Sequence, residues 1–269
     1  MTVFITGATD GLGRALAERL AGDGHPLILH GRDAAKLADT AAALRGAEVH
    51  TVLADLADLG QVRKLANDVR GLTDRLDVFV SNAGIGSGMP AGRTRMTSAD
   101  GHELRFAVNY LAGFLLTLEL LPLLRASAPA RIVNVASLGQ HPLDFTDLML
   151  ERGYSGGRAY TQSKLAQIMS GFELAARLPV TEVTVNSLHP GTYMPTKIVL
   201  QEIGSTIDTL ETGVDATARL AVGTDVEGVT GRFFDRTRDA RADEQAYDAA
   251  ARRELWRRSL ELVDHPDID

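Results

Sequence analysis

Tyr160 and Lys164 stand four positions apart in AYTQSKLAQ, a spacing that puts two side chains on one face of a helix. A phenol and an ammonium presented together suit the proton transfer that accompanies hydride transfer. The phenol gives a proton to a carbonyl oxygen in reduction, and the phenolate takes one from an alcohol in oxidation. An unperturbed phenol titrates at about 10, too high for an efficient base at neutral pH. A cation one helical turn away and the positive ring of an oxidised nicotinamide would both favour the phenolate. Lys164 is therefore expected to tune Tyr160 and to grip the nicotinamide ribose. Ser137, at the end of RIVNVAS, is expected to hydrogen-bond the carbonyl oxygen, and Asn109 in VNYLAGF to hold a water on the Lys164 side.

Such chemistry needs a bound dinucleotide. The run TGATDGLG (Thr6, Gly7, Asp10, Gly11, Leu12 and Gly13 among its residues) follows an apolar strand and opens a helix. Glycines there permit a tight turn and close approach of backbone to pyrophosphate, and the helix start supplies free N–H groups. After the second strand the sequence is HGRD, with Gly31 uncharged and Arg32 suited to a 2′-phosphate. NADP(H) is favoured, with NAD(H) as the alternative if Asp33 turns inward instead of capping the next helix. Asp55 and Leu56 in LADL are expected beside the adenine, with a helix cap as the other role for Asp55. Asn82, Ala83 and Gly84 of SNAG are expected to line the pocket. Pro190–Gly191 turns the chain over the nicotinamide, with Thr192 or Thr196 placed for the carboxamide.

These residues need a scaffold, and the alternation of short apolar runs with helical patterns supplies one. Strands are expected at 3–6, 26–30, within 48–56, at 77–84, 131–137, 181–191 and near 231–235. Helices are expected at 11–20, 34–44, 62–69, 101–125 (bent or broken by Pro122), after Tyr160 and at 243–262. The pattern predicts an α/β fold, one doubly wound Rossmann-type parallel sheet flanked by helices, in a single domain spanning 1–269. Loops at about 85–96, 138–158 and 192–208 are expected to build the substrate site. Ile85, Met89, Leu138, Phe145, Tyr154, Tyr193 and Met194 are its candidate walls, which favour an apolar ketone or alcohol. Arg95 and Arg152 leave room for a carboxylate-bearing substrate. Trp256 is expected as a core or subunit-contact anchor.

Composition bounds the rest. The 269 residues are 45% hydrophobic and 23% charged, with net charge −7 and no Lys/Arg block, which argues against a nucleic-acid surface. Cysteine is absent, so disulfides, thiolate nucleophiles and cysteine-ligated metals are excluded. The histidines are scattered without ligand spacing, so no metal is expected, and His189 reads as structural. The first strand begins so close to Met1 that no targeting segment is expected, and no apolar stretch reaches about 18 uninterrupted residues. A cytoplasmic protein without a membrane span is the expectation.

TGATDGLG, SNAG, NVAS and YTQSK together resemble the TG-x3-G-x-G, NNAG, NVSS and Y-x3-K motifs of the short-chain dehydrogenase/reductase family. Ser81 replaces the first Asn of NNAG. The resemblance runs from Thr2 to about Phe234 and implies the catalytic set Asn109, Ser137, Tyr160 and Lys164. LHPG, the long interval before Tyr160 and the C-terminal AYDAAARRELWRRSLELV are similar to the retinol-dehydrogenase-like branch, which implies NADP(H) preference. Asp10 stands where many NADPH-preferring members carry a basic residue, and PGTYMPT is one residue longer than the common PG-x3-T. The resemblance also implies a homodimer or homotetramer, assembled through helices that include the one bearing Tyr160. The expected activity is hydride exchange between NADP(H) and a small-molecule carbonyl or secondary alcohol. Alternatives are an epimerase or dehydratase that retains its nicotinamide, or a non-catalytic cofactor-sensing regulator.

Overall fold

Alternate residues of each central strand face opposite layers of the protein. In the computed structural model, which describes residues 1–88 and 92–268, β1 (Val3–Ile5), β2 (Leu27–Gly31), β3 (Val49–Leu53) and β4 (Val78–Ser81) form one half of a parallel sheet. β5 (Ala130–Val135), β6 (Val183–His189) and β7 (Phe233–Asp235) continue it, and β8 (Arg238–Ala240) pairs antiparallel with β7 at the edge. The strand order is β3-β2-β1-β4-β5-β6-β7-β8. Phe4, Ile28, Phe79 and Ile132 point to one layer, and Val3, Ile5, Leu27, Leu29, Val78 and Val80 to the other. Phe4 stacks on Phe79 across the β1/β4 junction, centroids 5.3 Å apart. Burial on both faces explains why these strands read as continuous apolar runs.

On one face lie α1 (Gly11–Gly22), α2 (Ala34–Ala43) and α8 (Leu210–Val222). The other carries α3 (Leu59–Leu72), α5 (Ala112–Ala126), α6 (Gly156–Arg177) and α9 (Ala249–Val263). Asp10, Asp33, Asp58, Ser155, Thr209 and Asp248 cap six of these helices by accepting N-terminal N–H groups. The helix expected over 101–125 begins at Leu104. Its irregularity lies at the π turn Ala107–Leu111, between α4 (Leu104–Phe106) and α5, while Pro122 sits inside α5 near its end. Leu104–Ala126 is long and apolar enough to cross a membrane by length and composition, but it is mostly buried within this fold. Its Glu119 turns to α3, pairing with Arg63 at 3.0 Å and Arg70 at 3.3 Å. Trp256 is a core anchor: 2% exposed, it meets Phe114 edge-on and donates Nε1–H to Asp267 at 2.7 Å.

Strand order reverses between β1 and β4, and a crevice opens there at the strands' carboxyl ends. Thr6–Gly13 follows β1, Asn82–Gly84 follows β4, Ser137 follows β5 and Pro190–Gly191 follows β6. All four site segments therefore leave the same end of the sheet.

Candidate active site

The glycine turn is shaped by what stands against it. Gly7 has φ +67°, and a Cβ there would approach Ala83 Cα to 2.9 Å. At Gly13 a side chain would collide with the Gly7 carbonyl and reach Asn82 Nδ2 at 2.5 Å. This backbone cradle, opening α1, fits a dinucleotide pyrophosphate. Asn82 turns away from the pocket: its Nδ2 donates to the Thr6 and Gly7 carbonyls at 2.8 and 3.2 Å, while Thr6 Oγ1 accepts from Asn82 N and Ala83 N. Both residues hold the crevice walls together. Leu12 and Leu56 bury their side chains in the two core layers, leaving only backbone at the crevice. Asp10 accepts from Gly11 N at 2.7 Å, capping α1.

His30, absent from the expected site, braces the turn from below. Its Nδ1 accepts from Gly7 N at 3.2 Å and its Nε2 donates to Ala54 O at 3.1 Å, which specifies the neutral ring. Burial pushes its pKa down from 6.5 to about 4. A depressed histidine contributes stability above its unfolded pKa, and that contribution is lost as pH falls from 6.5 toward 4. The shift corresponds to about 3 kcal/mol at most. The melting temperature should fall over this window, and His30→Gln should flatten that slope in a calorimetric pH series.

At the adenosine end, Asp33 spends its Oδ1 on Ala35 N and Lys36 N at the start of α2. Arg32 is exposed and makes no ion pair among the described residues. Asp55 closes a tight turn by accepting from Ala57 N at 2.9 Å and stays exposed.

Ser137, Tyr160 and Lys164 converge at the other end. Ser137 Oγ accepts from Gly139 N at 3.0 Å and lies near enough to Tyr160 to pull its phenol downward. Lys164 Nζ lies 6.0 Å from the Tyr160 ring centroid and donates to Val135 O at 2.8 Å and Gln167 Oε1 at 3.4 Å. Burial lowers the Lys164 pKa to about 8. Tyr160 is pushed up, first by burial, with Ser137 acting downward and the Glu202 charge upward. Desolvation is therefore the dominant influence on Tyr160. Asn109, in the π turn, accepts from Ile85 N at 2.7 Å and donates to Ile85 O and Ser163 Oγ. It borders Lys164 across Gly84, where a Cβ would stand 3.3 Å from Asn109 Oδ1 and 3.6 Å from Lys164 Nζ.

Thr192 is engaged by its own neighbours. Its N–H donates to Asp208 at 2.6 Å and its hydroxyl bonds His189 Nε2 at 3.1 Å. Thr196 instead stands against the glycine turn, its Cγ2 3.1 Å from a Cβ built on Gly11, and caps α7 (Lys197–Glu202). Gly191 packs beside Met194, which is buried in the core. Leu138 and Tyr193 are exposed, and Phe145 lies under Arg258. Met89 falls outside the described residues. Arg95 donates to Met149 O at 2.8 Å, and Arg152 pairs with Asp147 at 3.6 Å.

Three residues of this region escaped sequence reasoning. Gln167 shares the Lys164 face at i+3 and links it toward Ser81 O at 3.3 Å, so helical spacing could have suggested it. Arg105 and Glu202 join loops distant in sequence, and no local signal marks them. Arg105, wholly buried, donates from Nε to Gly86 O at 2.7 Å, from Nη2 to Ser87 O at 3.1 Å and from Nη1 to Tyr154 Oη at 2.8 Å.

The family described as short chain dehydrogenase matches residues 1–202. Retinol dehydrogenase 14 of Mus musculus is 37% identical over 283 residues, covering 95% of this chain and 83% of its own. Retinol dehydrogenase 13 of Homo sapiens is 36% identical, covering 97% and 84%. Among solved structures, the RhlG/NADP active-site complex of Pseudomonas aeruginosa superposes with TM-score 0.72 at 27% identity, covering 87% of this chain and 93% of that one. A short chain dehydrogenase from Shigella flexneri complexed with NADP gives 0.72 at 26% identity, covering 87% and 96%. With a glycine cradle for a nicotinamide dinucleotide and Ser137, Tyr160 and Lys164 gathered at its far end, the chain belongs to the short-chain dehydrogenase/reductase family, in its retinol-dehydrogenase-like branch.

Proposed function

We propose that the protein is an NADP(H)-dependent carbonyl reductase or alcohol dehydrogenase for an apolar ketone or aldehyde. The observation that carries this reading is the convergence of Ser137 and Tyr160 hydroxyls beside the buried Lys164. Bound nicotinamide supplies or accepts the hydride. Tyr160 donates its phenolic proton to the carbonyl oxygen, or withdraws the alcohol proton in the reverse direction. Ser137 hydrogen-bonds that oxygen and fixes its position. Lys164, held by Val135 O, stands where its charge favours the phenolate, and its ammonium is within the same pocket to hold a ribose hydroxyl. Asn109 keeps the Ile85 loop against α6 and so sets the wall behind Lys164. The upward push of burial on Tyr160 keeps it a phenol near neutral pH, the form that carbonyl reduction requires.

The exposed Arg32, with Asp33 committed to its cap, supports NADP(H) over NAD(H). The NADP complexes of the two structural relatives point the same way. Arg32→Ala should weaken NADPH binding roughly tenfold to a hundredfold, the loss of charge-assisted hydrogen bonds. NADH should change by no more than about twofold on the same reasoning; fluorescence titration with both reduced cofactors measures this, and equal losses would defeat the phosphate contact. Consumption of NADPH with a panel of apolar and polar ketones tests the reaction itself. Exposed Leu138 and Tyr193 near the mouth support an apolar substrate. Assembly into a homodimer or homotetramer through α6 rests on the family resemblance alone.

A further inference from the structure

The segment from Thr192 to Asp208 leaves and returns to one point. Asp208 N donates to Thr192 O at 2.9 Å, and Thr192 N donates to the Asp208 carboxylate at 2.6 Å. Arg236 Nε, 3.1 Å from the same carboxylate, completes a clamp at the base. Between these ends the chain carries α7 and exposes Tyr193, Ile198, Leu200, Ile203 and Ile207. This makes a flap with a rigid root and an apolar body.

Its far end is tied across the cleft. Glu202 Oε2 accepts from Ser87 N at 2.9 Å and from Ser87 Oγ at 2.8 Å. The neighbouring glycines admit the carboxylate: a Cβ at Gly88 would stand 3.3 Å from Glu202 Cδ, and one at Gly86 would collide with it. Ser87 in turn rests on the start of α6, its carbonyl abutting Gly156, one helical turn before Tyr160. Arg105 donates to the Gly86 and Ser87 carbonyls, so the flap is fastened to a loop held by a buried side chain. The charge is felt at the reacting centre, where Glu202 pushes the Tyr160 phenol upward.

We propose that Glu202 is a substrate-selecting latch, fastening the flap to Ser87 over the Tyr160 cleft, releasing it for entry, and turning away carboxylate-bearing carbonyl compounds. The proposal rests on the carbonyl-reductase reading for the identity of its substrates. A neutral ketone meets the cost of displacing the Ser87 bonds. An anionic one adds like-charge repulsion with the half-buried Glu202, where charges interact more strongly than in bulk solvent.

The test compares 4-acetylbenzoate with its methyl ester, binding each to the NADP+-loaded protein by calorimetry. A ketone cannot be reduced by oxidised cofactor, so turnover does not enter the measurement. Glu202→Gln should tighten the acid about tenfold or more and change the ester by no more than about twofold. Equal changes for both compounds, no change, or no binding of either would overturn the selection. The latch is read separately by trypsin cleavage after the exposed Lys197, followed by mass spectrometry. Glu202→Ala should speed that cut roughly fivefold or more, as local opening becomes easier, and an unchanged rate would overturn it. Failure of every form to reduce the ester with NADPH, alongside intact discrimination in binding, would strike only the carbonyl-reductase reading.

Discussion

Tyr160→Phe should reduce carbonyl turnover about a thousandfold, the scale for losing a positioned proton donor, while NADPH affinity shifts by no more than about threefold. The ring and its packing survive the change; only the phenolic oxygen beside Ser137 is removed. On the proposed reading the cofactor is held by groups the variant leaves untouched, the glycine cradle and Lys164. The pH profile supplies a sharper signature. Reduction consumes the protonated phenol, so its rate should stay level through neutral pH and decline as pH climbs through the Tyr160 pKa, which burial pushes up. Oxidation needs the phenolate and should rise over the same interval. Both limbs should vanish in Tyr160→Phe, and Ser137→Ala should retain them at lower rate. Stopped-flow measurement of nicotinamide oxidation in both directions decides the matter. A variant with near-parental turnover and an unaltered profile would move the proton to another group.

Chemistry written at short range was the part open to reading from the residues. Apolar runs such as VFIT and RIVNV specify strands because both sheet faces are covered, and Tyr160 and Lys164 share a face because helical geometry is local. The glycine turn is legible for the same reason: its neighbours along the chain are its structural context. Contacts that cross the chain were not. Asn109 was identified by type, but the π turn that aims it at Ile85 depends on tertiary packing. Thr192 and Thr196 were equivalent on paper, and only the Asp208–Arg236 clamp separates them. The helix α8 is not anticipated, although Val214, Ala218 and Leu220 join Gly213, Ala216, Thr217 and Ala221 on its buried face. Its small residues let α8 approach so closely that a Cβ on Gly213 would stand 3.1 Å from Leu12 Cδ1. The edge strand β8 is only three residues long, Arg238–Ala240, and carries no apolar alternation.

Arg105→Met should lower the melting temperature by roughly 10 °C, because it strands a buried acid and unties three loops at once. Glu103 is 1% exposed and lies 3.9 Å from the Arg105 guanidinium. Its carboxylate also accepts from Phe106 N at 2.7 Å and from the Tyr154 hydroxyl at 3.1 Å. Removing one member of a buried pair costs about 3–5 kcal/mol, chiefly because the remaining charge is left uncompensated. The double substitution Glu103→Gln with Arg105→Met should therefore recover a substantial part of the loss, whereas Arg105→Lys should not. An ammonium cannot serve Gly86 O, Ser87 O and Tyr154 Oη together, since those acceptors are spread to match a planar fork. Function should move with stability in a specific way. The loop after β4, the Tyr154 loop and, through Ser87, the flap all take their position from this one side chain. Ketone KM should rise in Arg105→Met while NADPH affinity stays near the parental value, because the glycine cradle lies across the crevice on β1 and α1. Hydrogen exchange should quicken at Ser87 and around Tyr154 but not at Gly7. A uniform loss of protection across the sheet would instead make Arg105 a general core residue, with no particular hold on the substrate loops.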